Sequence, residues 1–307
     1  MLLQAVELRF GYARRPRASA RGLVIDDVSL EIDHGALVGI LGPNGSGKTT
    51  LLRLLAGTLR PDSGFVRLNG EDLRRISRAA LARRFAVVPQ ETQLAFEYTA
   101  LEIALMGRYP HLGAFEIEGP ADVACALAAL EATGTQDLAD RPFQTLSGGE
   151  KQRVIIASAL AQLDTASQSS TLLKASGAPP PLARAQAFED SLSSRGALPQ
   201  DASPKPDGHL LLLDEPTASL DLRYQIEVAE LIRRLHDQQR IAIVLSTHDL
   251  HFAAAVCTDV VLLREGQVLA RGRTADVLTP ERLAVLYDVD PDRLRHLRDH
   301  PLTISAS

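Results

Sequence analysis

The sequence predicts an α/β fold in which a largely parallel sheet is covered by helices. Two apolar runs, LLLLDEP (210–216) and IAIVLSTHD (241–249), end in polar or acidic residues, as strands do when a parallel sheet is buried on both faces. A third run, ALVGILG (36–42), leads into a glycine-rich loop and then into leucines at helical spacing between 49 and 59. We therefore expect one α/β domain over residues 1–307.

Composition limits the classes of protein that this chain can belong to. Its 307 residues are 45% apolar and 23% charged, as in globular proteins, and a net charge of −5 gives no reason to expect nucleic acid as a partner. Cys125 and Cys257 lie outside any metal-ligand spacing, and we expect both to be buried apolar side chains. We expect no leader peptide, and no apolar run approaches the roughly 18 residues that span a bilayer. Work at a membrane would require a partner.

The elements before residue 163 follow from periodicity. Within residues 1–90, LVIDDVSLEID (23–33) alternates as a half-buried antiparallel strand does, and RFAVVPQ (84–90) predicts another buried strand of the core. Residues 91–162 are rich in alanine and leucine at helical spacing, which predicts a helical subdomain.

The rest of the chain returns to the core after an unusual segment. Residues 163–208 are rich in Ser, Ala and Pro, so we expect a disordered insert with one short helix over 185–192; a regulatory or docking role is the alternative. Residues 209–275 complete the core and contain a predicted hairpin over 260–272. Residues 276–307 predict a C-terminal helical extension.

The loop GPNGSGKTT (42–50) carries the first chemical signal. It matches the pattern G-x-x-x-x-G-K-[ST] between a strand and a helix, where backbone N–H groups surround a phosphate chain. Lys48 would reach the β- and γ-phosphates, and the Thr49 hydroxyl would bind Mg²⁺. The candidate nucleotide-binding residues are Gly42, Pro43, Asn44, Gly45, Ser46, Gly47, Lys48, Thr49 and Thr50.

The end of LLLLDEP supplies two carboxylates. Asp214 stands where a parallel sheet places ligand-binding groups and could hold Mg²⁺. Glu215 is the candidate for polarising the water that attacks the γ-phosphate. An Asp-Glu pair on its own is common at surfaces, but four preceding leucines favour a site, because a buried strand does not end in two carboxylates without a compensating partner.

A second anion-binding feature appears in LSGGEKQRV (146–154). A serine and two glycines precede a predicted helix, whose start offers free N–H groups and partial positive charge. The chain therefore carries two phosphate-binding features about a hundred residues apart.

Together with Gln90 after a strand, ASLD (218–221) and His248 in STHD, these motifs make the chain resemble the ATP-binding subunit of an ABC transporter. The resemblance covers nearly the whole chain apart from 164–208. It implies a P-loop NTPase cassette with a RecA-like mixed or parallel sheet core, an N-terminal antiparallel β subdomain and a helical subdomain.

The resemblance also explains the two phosphate features. In this family two cassettes pack head to tail, and the signature motif of each closes on the ATP held by the P-loop of the other. Ser147, Gly148 and Gly149 would then contact ATP bound at Lys48 of a second copy, which implies a homodimer that binds ATP and Mg²⁺.

Further roles are implied residue by residue. Gln90 would contact Mg²⁺ or the attacking water and sense the membrane partner, and His248 would contact the γ-phosphate. Asp221, in the D-loop, is counted with the nucleotide-binding residues. Tyr12, in RFGY, would stack on adenine, although the arginine-rich stretch after it departs from the family's short turn.

Two stretches, 96–113 and 247–272 followed by 274–290, resemble cassettes that import iron–siderophore complexes, haem or cobalamin. The implied partners are polytopic permease subunits and, indirectly, an extracytoplasmic substrate-binding protein, with the chain peripheral at the cytoplasmic face of the cell membrane and no nucleic acid bound. The alternatives are a soluble single-cassette ATPase, for example of the iron–sulfur assembly type, or a transporter cassette for another substrate.

The segment after Gln90 would form the surface that receives the permease's coupling helix. We expect four residues near that surface; ordinary helix packing is the alternative for them. They are Glu97, Met106, Gly107 and Arg108.

Overall fold

The computed structural model describes residues 1–12, 22–90, 92, 96–164, 208–218, 220–239 and 241–290. Within these residues ten strands form two sheets, and nine α-helices and short 3₁₀ turns surround them. The strands are β1 (Leu3–Phe10), β2 (Ile25–Ile32), β3 (Leu37–Leu41), β4 (Ser63–Leu68), β5 (Glu71–Asp72), β6 (Phe85–Val88), β7 (Leu210–Asp214), β8 (Ala242–Thr247), β9 (Asp259–Arg264) and β10 (Gln267–Arg273). The helices are α1 (Lys48–Leu55), α2 (Arg78–Ala82), α3 (Ala100–Met106), α4 (Pro120–Ala132), α5 (Gly148–Leu163), α6 (Leu222–Gln239), α7 (Leu250–Val256), α8 (Thr274–Val277) and α9 (Pro280–Tyr287).

The two sheets differ in direction as the sequence predicts. The larger has the order β10-β9-β3-β8-β7-β6, and its strands from β9 to β6 run parallel. β10 pairs antiparallel with β9, which is the predicted hairpin. The smaller sheet, β2-β1-β4-β5, is antiparallel. The predicted α/β fold class is confirmed.

The parallel sheet separates two apolar cores. Along β7, Leu211 and Leu213 face a core that includes residues of α3, α4 and α5. Leu210 and Leu212 face the other core, which includes residues of α1, β1 and β2. Because side chains alternate between faces and both faces are covered, the strand is continuously apolar.

The register of the parallel strands brings their carboxyl ends to one edge. Leu41 pairs with Thr247, and Asp214 pairs with Ser246. Val88, two residues before Gln90, pairs with Leu213. The loops that follow these strands therefore meet at one place, where open parallel sheets bind ligands.

Helices α3, α4 and α5 pack together between β6 and β7 in chain order. Capping boxes begin two of them: Thr99 with Glu102 at α3, and Ser147 with Glu150 at α5. Each box satisfies N–H groups that the first helical turn leaves unpaired. Apart from Leu163, the last residue of α5, these helices lie inside the range 91–162 predicted for the helical subdomain, whose bounds stay a prediction.

Gly107 belongs to the packing between α3 and α5. A Cβ at this position would collide with the backbone carbonyl of Ser158 in α5. Only glycine permits this approach. Gly107 therefore takes part in helix packing, the alternative named for it, and its position near the permease-docking surface stays a prediction.

Arg108 is also a packing residue, and its position near the permease-docking surface likewise stays a prediction. It is 8% exposed, and its guanidinium donates to Asp122 Oδ1 at 2.9 Å and to the Ala161 carbonyl at 2.9 Å. Burial alone would raise the pKa of Asp122, but hydrogen bonds from Arg108 and from the Gly119 backbone bring it below its ordinary value. A paired, buried arginine ties the end of α3 to α4 and α5.

The cysteines and the terminal elements agree with the sequence where the structure describes them. Cys125 and Cys257 are buried free thiols, and burial raises the pKa of each to about 12. Helices α8 and α9 follow β10 as predicted, whereas residues 291–307 lie outside the described residues. So do residues 165–207, which include most of the predicted insert and its predicted helix over 185–192. The predicted start of the insert at Leu163 is wrong, because this residue is the buried end of α5. None of the described helices combines the length and apolar character that a bilayer span requires.

Candidate nucleotide site

Two glycines shape the loop between β3 and α1. A Cβ on Gly42 would collide with the backbone carbonyl of Leu263, and a Cβ on Gly47 would lie 2.8 Å from the Val24 carbonyl. Gly47 also has a φ of 102°, a conformation that favours glycine. The loop therefore runs against the neighbouring backbone before the helix begins.

Lys48 is buried at the start of α1 and turns back over the loop. Its Nζ donates to the carbonyls of Gly42 at 2.9 Å and Pro43 at 3.3 Å. The N-cap residue of α1, Gly47, has no side chain that could cap the helix, so the first N–H groups of α1 are available to a ligand. An ammonium group and a helix start together form an anion-binding site.

Asp214 and Thr49 meet across the sheet edge. Thr49 Oγ1 donates to Asp214 Oδ1 at 3.1 Å, and Ser246 Oγ donates to the same oxygen at 2.6 Å. Asp214 is only 7% exposed, and its two hydroxyl donors compensate for its burial. This arrangement places hydroxyl and carboxylate oxygens side by side.

Glu215 is the point on which the predicted catalytic residues converge. Its carboxylate lies 3.5 Å from Lys48 Nζ and 3.3 Å from His248 Nδ1. Gln90 Nε2 donates to it at 3.4 Å. The structure thus brings together four residues that are far apart in sequence.

The backbone of Glu215 is held in an unusual conformation. Its φ is 46°, which side-chain-bearing residues rarely adopt. Its N–H donates to Ser246, at 3.0 Å to Oγ and 3.1 Å to the carbonyl oxygen. The serine therefore fixes both carboxylate residues of the site, and backbone strain of this kind is typical of functional sites.

Lys48, Thr49, Gln90, Glu215 and His248 line a cleft of about 690 Å³. The P-loop, the end of β7 and the end of β8 supply most of the lining. The lining residues are Val24, Asn44, Gly45, Gly47, Lys48, Thr49, Thr50, Gln90, Glu215, Thr217, Ala218, Gln225, Thr247, His248 and Asp249. A cleft of this volume is large enough for a nucleotide.

Tyr12 lies beside the P-loop helix. Its hydroxyl is 3.1 Å from Thr50 Oγ1, and its ring packs edge-on against Phe10 at 5.0 Å between centroids. The side chain is 59% exposed. An aromatic ring is thus held next to the loop with much of its surface open, while residues 13–21 after it lie outside the described residues.

The signature residues do not line the cleft described above. Ser147 Oγ accepts from the Glu150 backbone N–H at 3.3 Å, and Glu150 accepts from the Ser147 N–H at 2.8 Å. This backbone hydrogen bond lowers the pKa of Glu150 below its usual value. A Cβ on Gly149 would collide with the Tyr224 ring, so the start of α5 is packed tightly against α6.

Asp221 lies at the exposed start of α6, outside the cleft lining, and its neighbour Ser219 is outside the described residues. Ser246 was missed by the sequence reasoning, although it stands in STHD beside His248. Thr217 and Gln225 were missed as well. No sequence signal marks Ser246, because its role depends on its pairing with Asp214 in the sheet.

Comparison with known proteins agrees with this geometry. The sequence profile described as ABC transporter matches residues 25–165. A hemin import ATP-binding protein of Methylobacillus flagellatus is 36% identical over 274 residues, which are 89% of this chain and 87% of that protein. A cobalamin import ATP-binding protein of Halobacterium salinarum is 37% identical over 265 residues, or 86% of this chain. The chain spans only 55% of the length of that second relative.

A solved structure supports the same relationship. An ABC transporter of metal-chelate type, in an inward-facing conformation, superimposes with a TM-score of 0.68 and 28% identity, covering 94% of this chain and 89% of that chain. Fold, site geometry and sequence similarity agree over most of the chain. The chain therefore belongs to the family of ATP-binding subunits of ABC transporters.

Proposed function

We propose that this chain hydrolyses ATP to power an importer for an iron chelate, haem or cobalamin. The observation that carries the proposal is the convergence of Lys48, Gln90 and His248 on the Glu215 carboxylate. These are an anion-binding ammonium, a polar amide, an imidazole and a candidate base within one cleft. Hydrolysis of a phosphoanhydride requires such groups in positioned form.

The residues beside Lys48 fit a magnesium ion. Thr49 Oγ1 and Asp214 Oδ1 are hard oxygen donors 3.1 Å apart, and Gln90, whose amide donates to Glu215, lines the same cleft as Thr49. These three residues would hold Mg²⁺ directly or through water. Bound there with ATP, Mg²⁺ would neutralise charge on the phosphate oxygens.

Different side chains of this chain would carry out the separate steps of ATP binding and hydrolysis. Lys48 binds the β- and γ-phosphates, and the start of α1 adds N–H donors. Glu215 orients a water molecule and accepts its proton as the oxygen attacks the γ-phosphorus. His248 donates to a γ-phosphate oxygen, where negative charge collects as the bond to the leaving ADP breaks. Tyr12 would stack on the adenine, which its exposed ring supports.

The signature motif would act on a second copy. Ser147, Gly148 and Gly149 begin a 16-residue helix, yet they do not line the cleft of their own chain. A head-to-tail homodimer would place this helix start against the γ-phosphate at the partner's P-loop. Asp221, exposed at the start of α6, would lie at the same interface.

Exposed apolar side chains support the proposal that this chain binds a membrane protein. Four aromatic and aliphatic side chains in the segment 96–117, before α3 and between α3 and α4, are more than half exposed: Phe96 at 69%, Tyr109 at 57%, Phe115 at 103% and Ile117 at 82%. Large apolar side chains exposed in one segment are typical of an interaction site. We assign it to permease subunits, with Glu97 and Met106 nearby, which would hold the chain at the cytoplasmic face of the membrane.

The cargo follows from the relatives' names. They are cobalamin and hemin import proteins, and the solved structure is of metal-chelate type. An extracytoplasmic substrate-binding protein would act indirectly through the permease. A soluble single-cassette ATPase is the alternative function, and the exposed side chains of Phe96, Tyr109, Phe115 and Ile117 favour the transporter.

The test is to purify tagged Glu215→Gln protein with ATP from its native membranes and to identify what accompanies it. Recovery of a polytopic permease supports the proposal, and the permease sequence would narrow the cargo. Recovery of soluble partners alone, in several detergents, would overturn the transport role and favour a cytosolic ATPase.

A further inference from the structure

Gln162, near the end of α5, donates two hydrogen bonds from its side-chain amide to backbone carbonyls beside the sheet. Its Nε2 donates to the backbone carbonyl of Ala82 at 2.8 Å and to that of Phe85 at 2.8 Å. Both are short, well-formed hydrogen bonds from one side-chain nitrogen. A single glutamine thus binds two carbonyls more than 70 residues away in sequence.

The two carbonyls belong to the turn that starts β6. Ala82 is the last residue of α2, and Phe85 is the first residue of β6. Gln90 follows the other end of this strand, and β7, which pairs with it, ends in Asp214. Gln162 therefore holds α5 at the amino-terminal end of β6, whereas the nucleotide cleft lies at the carboxyl ends of the strands.

Two neighbouring contacts join the same parts of the chain. His111 Nε2 lies 2.8 Å from the Gln162 carbonyl, and Arg83 Nε donates to the Pro110 carbonyl at 2.8 Å. Pro110 and His111 form a 3₁₀ turn directly after α3. The arginine side chain is exposed, whereas Gln162 is partly buried. Gln162 is thus the less solvated link between the core and the helices.

We propose that Gln162 is a positioning residue that sets the tilt of α5 and so the position of Ser147. Ser147 caps one end of this helix and Gln162 stands near the other. The 16 residues of α5 give a length of about 24 Å, so a tilt of about 10° at one end moves the other by about 4 Å. Such a displacement exceeds hydrogen-bond tolerance. The inference rests on the proposed function, in which Ser147 serves the ATP of a second copy.

The direct test replaces Gln162 with methionine, which keeps the length of the side chain and removes both donors. We expect ATP binding to the monomer to stay within about twofold, because the P-loop is untouched. ATP-dependent dimerisation should weaken by about tenfold, because α5 loses the two hydrogen bonds that hold it to the start of β6. The ATPase kcat should fall while half-saturating ATP changes little. A purely structural role would lower thermal stability and leave kcat per folded molecule unchanged.

A distance measurement tests the tilt itself. Spin labels on Gln144→Cys, just before Ser147, and Ser63→Cys, in the antiparallel sheet, report on the start of α5 relative to the core; both positions are exposed. The native cysteines are buried, with pKa values near 12, so labelling should favour the introduced thiols. In Gln162→Met, the distance distribution should broaden or shift by several ångströms. Superimposable distributions would overturn the proposal.

Control variants distinguish a failure of the role proposed for Gln162 from a failure of the role proposed for Ser147. Gln136→Met makes the same chemical change at an exposed position among the same helices and should leave distances and dimerisation unchanged. Gln162→Asn, too short to bind both carbonyls, gives a second test if the methionine variant fails to fold. If unmutated protein does not dimerise with ATP, the proposed trans function is wrong. The distances between the spin labels then still test whether Gln162 sets the tilt of α5. If it does dimerise and Gln162→Met matches it in both assays, the role of Gln162 fails alone.

Discussion

Lys48 Nζ lies 3.5 Å from Glu215 Oε1, so the ammonium group that would bind phosphate is paired with the carboxylate that would activate water. Both side chains are largely buried, at 6% and 13% exposure. Their attraction is stronger there than at the surface, because water screens it less. In the proposed mechanism, bound ATP would replace Glu215 as the partner of Lys48, and the carboxylate would then be free to orient the attacking water.

Glu215→Gln should bind ATP at least as tightly as the unmutated chain but hydrolyse it at least about 100-fold more slowly. The amide cannot accept the water's proton, and it no longer competes with phosphate for Lys48. Phosphate release and equilibrium nucleotide binding measure the two effects separately. Glu230→Gln, exposed on α6, is the matched control. Retained hydrolysis would move the base to another residue.

Ser246→Ala should reduce ATPase activity by about tenfold and raise the Mg²⁺ concentration needed for half-maximal activity. The hydroxyl donates to Asp214 at 2.6 Å and accepts from the Glu215 backbone at 3.0 Å, and loss of such orienting contacts typically costs 10- to 100-fold. Steady-state assays over a Mg²⁺ series test this. Ser63→Ala, exposed in β4, should behave as the unmutated chain. An unchanged Mg²⁺ dependence would show that Asp214 does not need this donor.

Ser147→Ala should abolish most ATP-dependent dimerisation if, as proposed, the hydroxyl contacts the phosphate bound by the partner. Since Ser147 also caps α5, the variant should lose about 1 kcal/mol of folding stability. Glu150→Ala breaks the same capping box without removing the hydroxyl, so it separates the two effects. Analytical ultracentrifugation with ATP should show a much larger defect for Ser147→Ala. Equal defects would reduce the serine to a helix cap.

Glu150 should make a pH-dependent contribution to stability. Its pKa is lower in the folded chain than in the unfolded chain, so the contribution is present above the ordinary glutamate pKa of about 4.3 and is lost as pH falls through the lowered value. Glutamine keeps an acceptor for the Ser147 N–H but carries no charge. The difference in Tm between unmutated protein and Glu150→Gln should therefore shrink with acidification below about pH 4.3. A constant difference would contradict this.

Deleting residues 166–206 and bridging the ends with a short Gly/Ser linker should leave ATPase activity intact. Loop length changes stability slowly, by about 0.6 kcal/mol per doubling. ATPase activity and the thermal unfolding temperature of the deletion variant, compared with those of the full chain, test this prediction. An inactive or unfolded deletion variant would show that the segment is structural.

The sequence by itself determined the core strands, the P-loop and the existence of a helical part. Continuous apolar runs, helical spacing in 91–162 and fixed motif spacing are local properties of the chain, and the structure forms β3, β7, β8 and helices α3 to α5 where they predict. The P-loop glycines could be predicted because only their residue type permits the required backbone path.

Only the tertiary structure decided which side chains meet. Nothing in the sequence around Gly107 and Arg108 shows that they pack against other helices. Their contacts are with Ser158, Ala161 and Asp122, which are distant in sequence. The pairing of Asp214 with Ser246 depends on the register between strands more than 30 residues apart. Register and helix docking are set by burial of whole faces, a collective free energy that no short stretch of sequence contains.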